Sequence, residues 1–540
     1  MKKLSERKIK WIERTAKNNR SYKIYLYNRF FIFLGLVILQ IVGYVLAAYL
    51  IVYDSPIAFA LQIAIVVLEL LMLLYLINKN DRPASKLNWI LLILLVPVIG
   101  VPGYLLYGEG KPTRGMQKKI NRARAAICEN KKQQFTQKNM DGITASKDAP
   151  CREEGISHYL QTYGDYPPYH NGDVVYFESG EKMFPEMLRA LDSAKEYILL
   201  DYFIIAHGKM WEEILKRLLK KAEQGVKVRI IYDDFGCMMT LPPKYDRYLE
   251  SLHENIRCMT FNNVVPIFAV RMNNRDHRKI TVVDGRVAFT GGINLADEYI
   301  NKKKRFGYWK DTGVKITGDS VRSFVEMFFY LWNAFRKDQE DVLSYLPPLQ
   351  LENADKKDGF VIQPYDDSPL DKTSIGEVVY ADMIQRAKRY IYVFTPYLVL
   401  DDFLRTELLM AAARGVDVRI VVPGIPDKKM IYRITRANYP SLMKAGVQIY
   451  EYTPGFIHAK SVLCDGTSAV VGTINFDYRS LFLHFENGVY FSHVDGALAA
   501  LIRDYDETFA VSKLCTPENT KRNIFGRLLD SVLRVFETLM

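Results

Sequence analysis

Two stretches of the chain place a histidine, a lysine and an aspartate at one spacing: HRKITVVDGRVAFTGGIN at 277–294 and HAKSVLCDGTSAVVGTIN at 458–475. In both, Lys follows His by two positions, Asp by seven and Asn by seventeen, and the two copies align without a gap. An imidazole titrates near neutral pH, so it can act there as a nucleophile or as a proton carrier. Two imidazoles in equivalent places suit a two-step transfer. One takes the moving group covalently; the other protonates the departing oxygen and then deprotonates the incoming one. Such a division of labour requires the motif twice.

The elements around the motifs repeat as well. FIHAKSVLCD (456–465) reads as an apolar strand, and period-two alternation sets His458 and Lys460 side by side on one face. YILLDYFIIAHG (197–208) and GVKVRIIYDDFG (225–236) flank a helical stretch, as do YIYVFTPYLVLD (390–401) and GVDVRIVVPGIP (415–426). Each copy reads as strand, helix, strand, with Gly225 or Gly415 closing the helix. The pattern predicts two pseudo-symmetric α/β sandwich domains. Downstream, WKDTGVKI (309–316) parallels FENGVYF (485–491), matching Asp311 with Glu486. Asp233 and Asp234 read as a strand-end turn. His158, His170, His207, His253, His484 and His493 match no motif and are expected to be structural or exposed.

With its two H-x-K-x4-D motifs the chain resembles the phospholipase D superfamily. Within it, the chain is similar to the bacterial cardiolipin synthases, through NDRPASKLNWILLILLVPVIG…YGEGK, VVGTINFDYRSLFLHFEN and the spacing of the motifs. A phosphodiester repels nucleophiles, so its site must neutralise charge. The resemblance implies that His277 is the nucleophile and His458 the acid/base, an order that the near-symmetry of the motifs leaves open. It implies that Lys279 and Lys460 grip the phosphate oxygens, that Asn294, Asn475 and Thr473 bind phosphate, and that Asp311 and Glu486 orient the histidines. The motif aspartates Asp284 and Asp465 complete the implied catalytic set, although their place at a strand end suits a structural role. No metal-ligand cluster is legible and no cofactor is expected. The implied reaction moves a phosphatidyl group from one phosphatidylglycerol to another. Hydrolysis by a wetter site, or another phospholipid as donor or acceptor, stays open.

Charge and hydropathy place this chemistry at a membrane. Of the net +12, residues 1–140 hold 22 Lys and Arg against 7 Asp and Glu, leaving 51 against 54 in the rest. Basic charge confined to the amino-terminal end favours anionic lipid over nucleic acid as partner. Three apolar stretches, 30–53, 57–77 and 87–107, lack Lys and Arg and approach the roughly 20 residues a bilayer core needs. The third carries Pro97, Gly100, Pro102 and Gly103, so it is expected either to dip and return or to span as a kinked helix with the amino terminus outside. Six scattered cysteines form no C-x-x-C pair, which fits a reducing compartment. The predicted order is a basic tail (1–29), an α-helical membrane region (30–110), a basic surface helix and linker (111–170), two phospholipase D-like domains (171–345 and 346–515) and an amphipathic helix (516–540). This describes a multi-pass protein of the cell membrane with its catalytic domains on the cytoplasmic face. The last helix is expected either on the membrane or packed on the protein's own body.

Overall fold

The computed structural model describes residue 42 and residues 56–535, apart from 81, 109, 138–153, 264–272, 350–358 and 372. The expected tail and nearly all of the first apolar stretch lie outside the described residues. Helix α1 (Pro56–Asn78) has Glu69 as its one charged residue. The stretch at 87–107 forms two helices, α2 (Pro83–Leu95) and α3 (Pro97–Tyr107), because Pro97 lacks the N–H that would continue the first. They fold together over Leu76, Trp89, Ile93, Val101 and Tyr104. A Cβ at Gly100 would stand 2.7 Å from the Ile93 Cα, so only glycine permits this approach. Among the described residues no helix is long and apolar enough to cross a membrane.

Arg82, just ahead of α2, ties this region to the rest. Its Nη1 donates to Glu377 Oε1 and to Asp401 Oδ2, each at 2.8 Å, and its guanidinium lies 3.4 Å from the centre of the Phe482 ring. Helix α4 (Arg114–Gln137) was expected on the surface, which holds for its basic face alone. Met116, Ile120 and Ile127 recur at helical spacing and are buried, and Arg124 bonds Asp366 and Asp371 at 2.9 and 2.8 Å.

The first sheet comprises β1 (Asp173–Phe177), β2 (Tyr197–Tyr202), β3 (Lys227–Asp233), β4 (Ile256–Phe261), β5 (Lys279–Val283), β6 (Val287–Gly291) and β8 (Gly313–Thr317), in the order β1-β8-β6-β5-β2-β3-β4. The short β7 (Tyr308–Lys310) stands apart from it. Helix α5 (Val321–Phe335) follows and is buried on nearly every side, with Phe324, Phe328, Phe329 and Trp332 in the core shared by both halves.

The second sheet repeats the plan with β9 (Val361–Asp367), β10 (Tyr390–Phe394), β11 (Asp417–Pro423), β12 (Gln448–Tyr452), β14 (Ser461–Cys464), β15 (Ser468–Gly472), β16 (Glu486–Ser492) and β17 (Ser512–Leu514). Its order is β17-β12-β11-β10-β14-β15-β16-β9. In both halves a parallel pair (β2–β3, β10–β11) brackets a helix that ends at a glycine of positive φ, Gly225 at +91° and Gly415 at +84°. The antiparallel neighbour of that pair (β5, β14) carries the motif.

One strand links the halves. β13 (Gly455–Ile457) pairs in parallel with β7 of the first half and not with its own sheet. Near the carboxyl end, α6 (Lys429–Lys444) receives α7 (Ile524–Val535). Leu533 packs on Ile434 and Val399, and Arg433 bonds Asp530 at 2.6 Å, while Ile524, Phe525, Leu528 and Leu529 stay exposed.

Candidate active site

The strand expected across 456–465 is broken at its functional residue. β13 ends at Ile457 and β14 begins at Ser461, with His458, Ala459 and Lys460 in the crossing between them. The His458 N–H donates to Lys310 O at 2.7 Å, so the chain leaves a partner strand in the other half exactly where the histidine sits. The first motif mirrors this: His277 N–H donates to Phe485 O at 2.8 Å and Asp276 bridges Phe485, before β5 starts at Lys279. Each motif thus enters by pairing with the strand that carries the other half's acid.

That crossing decides which acid serves which histidine. His277 Nδ1 lies 2.9 and 2.8 Å from the two carboxylate oxygens of Glu486. His458 Nδ1 lies 2.7 Å from Asp311 Oδ2. Both rings are buried to 8% exposure and both carboxylates are wholly buried. With Nδ1 given to a carboxylate, each ring keeps Nε2 for chemistry. Gly292 makes room on one side, since a Cβ there would collide with Asp311 Oδ1 and stand 2.8 Å from His458 O.

Lys279 and Lys460 each turn back on the carbonyl of their own histidine, Lys279 Nζ at 2.5 Å from His277 O. Burial pulls their pKa values down, to about 8 for Lys279 and about 7 for Lys460, against the upward pull of Glu486 and Asp311. Burial and Lys460 push His458 to about 4, opposed by Asp311. Burial, Lys279 and His484 hold His277 well below 6.5. At rest both imidazoles are neutral.

The motif aspartates sit elsewhere. Asp284 and Asp465 occupy the far ends of β5 and β14 at φ +52°, and seven residues of extended chain put them about 20 Å from the histidines. Asp284 accepts from the N–H groups of Lys195, Glu196 and Tyr197, and Asp465 from those of Lys388, Arg389 and Tyr390, at 2.8–2.9 Å. This position suits the structural role that their place at a strand end suggested: they anchor the starts of β2 and β10. Thr473 is engaged by the second half's own backbone. It occupies the position of Gly292, and its hydroxyl donates to Asn487 O at 3.2 Å while accepting from Asn487 N–H at 2.9 Å. Asn294 accepts from Ile204 N–H at 3.0 Å and donates to Tyr299 Oη at 2.7 Å; Asn475 donates to Asp477 at 2.9 Å. Asp233 caps the turn as expected, accepting from Gly236 N–H at 2.9 Å and from Asp276 N–H at 3.1 Å.

Sequence reasoning missed the parts played by two groups, Arg278 and His484. Arg278, wholly buried, bonds Asp276 and Asp201 behind His277, where the second copy has Ala459. Arg479, in the NFDYRS run that has no counterpart in the first copy, is half-buried beside His484. His484 stands 5.6 Å from the His277 ring, centre to centre. The repeat held the signal for His484, because Trp309 occupies the same place ahead of Asp311 and lies 5.5 Å from His458. Among the described residues, His277, His484 and Glu486 also bring ligand-type atoms within 4.8 Å of one another. Lys279, Arg479 and Arg275 bear on that cluster, so it repels a dication and suits an anion.

Comparison with known proteins agrees with this architecture. The family described as "Cardiolipin synthase, PLD-like domain" matches residues 187–312 and 380–510, and "Phospholipase_D-nuclease N-terminal" matches 67–109. A cardiolipin synthase of Geobacillus kaustophilus is 32% identical over 86% of this chain and 90% of its own length. One of Halalkalibacterium halodurans is 30% identical over 89% and 94%, and an uncharacterised protein of Streptococcus mutans is 40% identical over 86% and 99%. The crystal structure of Haemophilus influenzae phosphatidylserine synthase superimposes with a TM-score of 0.54 at 14% identity, over 71% of this chain and all of that one, a likeness of fold. Carrying the paired motifs, the crossed acids and these matches along most of its length, the chain belongs to the phospholipase D-like family, in its cardiolipin synthase branch.

Proposed function

We propose that the protein is a membrane-bound cardiolipin synthase: a phosphatidyltransferase that joins two phosphatidylglycerol molecules through a phosphohistidine and releases glycerol. The observation that carries this reading is the crossed pair of histidines, each with Nδ1 on a buried carboxylate of the other half and each followed by a buried lysine. His277 Nε2 attacks phosphorus and the bond to the glycerol oxygen breaks. His458 gives that oxygen its proton, then removes one from a hydroxyl of the second phosphatidylglycerol, which attacks the phosphohistidine and frees His277. The developing charge falls between Lys279 and Lys460, and each of Asn294 and Asn475 has a second amide proton to offer it. Burial and then Lys460 keep His458 unprotonated at rest; an anionic phosphodiester between the lysines offsets the Lys460 part and so favours the protonated acid.

The exposed apolar side chains of α1 and α2, among them Phe59, Leu70, Leu74, Leu87 and Leu94, suit burial in a bilayer, and so do Phe525 and Leu528 on α7. Arg82 and Asn274 join this region to the site. Asn274 Nδ2 donates to Gly110 O at 2.7 Å and to Leu483 O at 3.0 Å, three residues before His277 and one before His484. Both lipids are confined to the bilayer, and anchoring the catalyst there raises their effective concentration. The test is product analysis with purified full-length protein on phosphatidylglycerol vesicles, beside His277→Ala. Cardiolipin and glycerol from the wild type alone are expected; phosphatidic acid as the main product would replace the transferase with a hydrolase.

A further inference from the structure

The two halves are alike in position and unlike in chemistry at one place. Trp309 and His484 each stand two residues before their half's carboxylate and each face the other half's histidine, at 5.5 and 5.6 Å. Among the described residues the Trp309 indole N–H is buried without a hydrogen-bond partner. The His484 ring is held by Arg479, whose Nε lies 3.4 Å from its Nε2. A guanidinium only donates, so Nε2 accepts and the proton of the neutral ring is on Nδ1. That Nδ1 is buried and stands 3.7 Å from Glu486 Oε1.

We propose that His484 is a positioning residue for the nucleophile: its Nδ1–H, fixed by Arg479, is turned on Glu486 and keeps that carboxylate in the ionised form that leaves the His277 Nε2 lone pair free. The proposal rests on the transferase reading, with His277 as the attacking residue. The logic is one of tautomers. An ionised Glu486 requires the proton on His277 Nδ1. A protonated Glu486 would donate to Nδ1, move the ring's own proton to Nε2 and abolish the nucleophile.

Glu486 needs such help. Burial, with Asp477 adding to it, holds its carboxyl well above the ordinary range against the downward pull of Lys279, Thr473 and Ser480; Lys460 and Tyr380 also face it. Burial first, and then Arg479, Arg275, Lys279 and Lys428, all cationic, keep His484 neutral and preserve the Nε2 acceptor. The 3.7 Å separation exceeds a hydrogen bond at rest, and catalytic contacts of this kind shorten in the loaded site. An indole has no second nitrogen for an arginine to hold, so the device distinguishes His277 from His458.

The experiment compares full-length wild type, His484→Leu and His484→Asn on phosphatidylglycerol vesicles, measuring kcat, KM and the acid limb of kcat/KM, with thermal unfolding as a control. Removing the donor is expected to lower kcat about tenfold with KM unchanged and to raise the acid limb by about half to one pH unit, since a carboxylate that loses a donor takes its proton more readily. His484→Asn restores an N–H and is expected to recover most of both losses. A His484→Leu enzyme with wild-type kcat and acid limb would overturn the proposal, as would a His484→Asn enzyme as impaired as His484→Leu. Should His484→Leu fail to fold, His484→Phe, which keeps a ring and has no N–H, takes its place. If the wild type makes no cardiolipin, the transferase reading falls by itself, because the acid limb can still be followed by release of nitrophenol from a nitrophenyl phosphodiester.

Discussion

The crossing of the acids makes a prediction that a same-half arrangement would reverse. Glu486 lies in the second half and holds His277; Asp311 lies in the first and holds His458. Glu486→Gln should therefore disable the nucleophile, and Asp311→Asn the acid/base. A phosphatidyl ester of nitrophenol separates the two, because nitrophenolate leaves without a proton. Losing the charged partner of a buried imidazole removes a charge-assisted bond of about 1.5–3 kcal/mol and favours the wrong tautomer as well. At 1.36 kcal/mol per decade, Glu486→Gln should slow the nitrophenolate burst by about 10²–10³. Asp311→Asn should leave that burst within about tenfold of wild type, yet lose about 10²–10⁴ with phosphatidylglycerol, the usual weight of acid/base assistance. The assay is stopped-flow absorbance in mixed micelles, with phosphoenzyme trapped at alkaline pH. A burst that survives in Glu486→Gln and vanishes in Asp311→Asn would refute the reasoning, meaning that His458 is the nucleophile.

Other consequences are simpler to check. Asp284→Ala and Asp465→Ala each remove a carboxylate that accepts three backbone N–H groups, so about 1–3 kcal/mol of stability should go while kcat per folded molecule holds. A fallen kcat with unchanged Tm would return them to the catalytic set. The His458 pKa of about 4 lies below the unfolded value of about 6.5, so its contribution is complete above pH 6.5 and is lost as pH falls towards 4, about 3 kcal/mol in all. His458→Gln should flatten unfolding stability between pH 6.5 and 4 by up to one proton; an unchanged slope would show that His458 is not buried in its neutral form. Arg82→Ala should loosen the α2–α3 hairpin from the second half and lower turnover of bilayer phosphatidylglycerol several-fold more than that of the micellar nitrophenyl ester. Equal losses on both substrates would mean that Arg82 only stabilises the fold.

Much of this was legible because it is periodic. A histidine and a lysine two apart, copied at a fixed spacing, and a glycine closing each helix are local patterns that survive without coordinates. Which acid meets which histidine was not, because it depends on β13 leaving its own sheet to pair with β7, a contact between residues 455–457 and 308–310. The third apolar stretch declared its turn through Pro97 and Gly100. The inner face of α4 did not, since Met116, Ile120 and Ile127 are thinly spread through a basic sequence. His484 escaped because it was compared with the motif histidines and not with Trp309, its true counterpart in the repeat.

These contacts explain why the repeat is not two independent domains. An isolated half would hold a histidine without its carboxylate and a carboxylate without its histidine. The strands that deliver them pair across the boundary at β13–β7 and at Asp276–Phe485. Asn487 Nδ2 donates to Thr290 Oγ1 at 2.8 Å across the same boundary, and α5 fills the core beneath. Asn274 then fastens the segment after α3 to the loops bearing His277 and His484. A shift of one half against the other would lengthen both imidazole–carboxylate bonds at once, so the site exists only when both halves are in register. Duplication supplied two similar surfaces, and their exchange of acids made each half's chemistry depend on the other. Two of the differences between the copies, Arg278 against Ala459 and Trp309 against His484, lie beside the histidines, where equivalence would serve a reaction least, since one imidazole must bond to phosphorus while the other carries the proton.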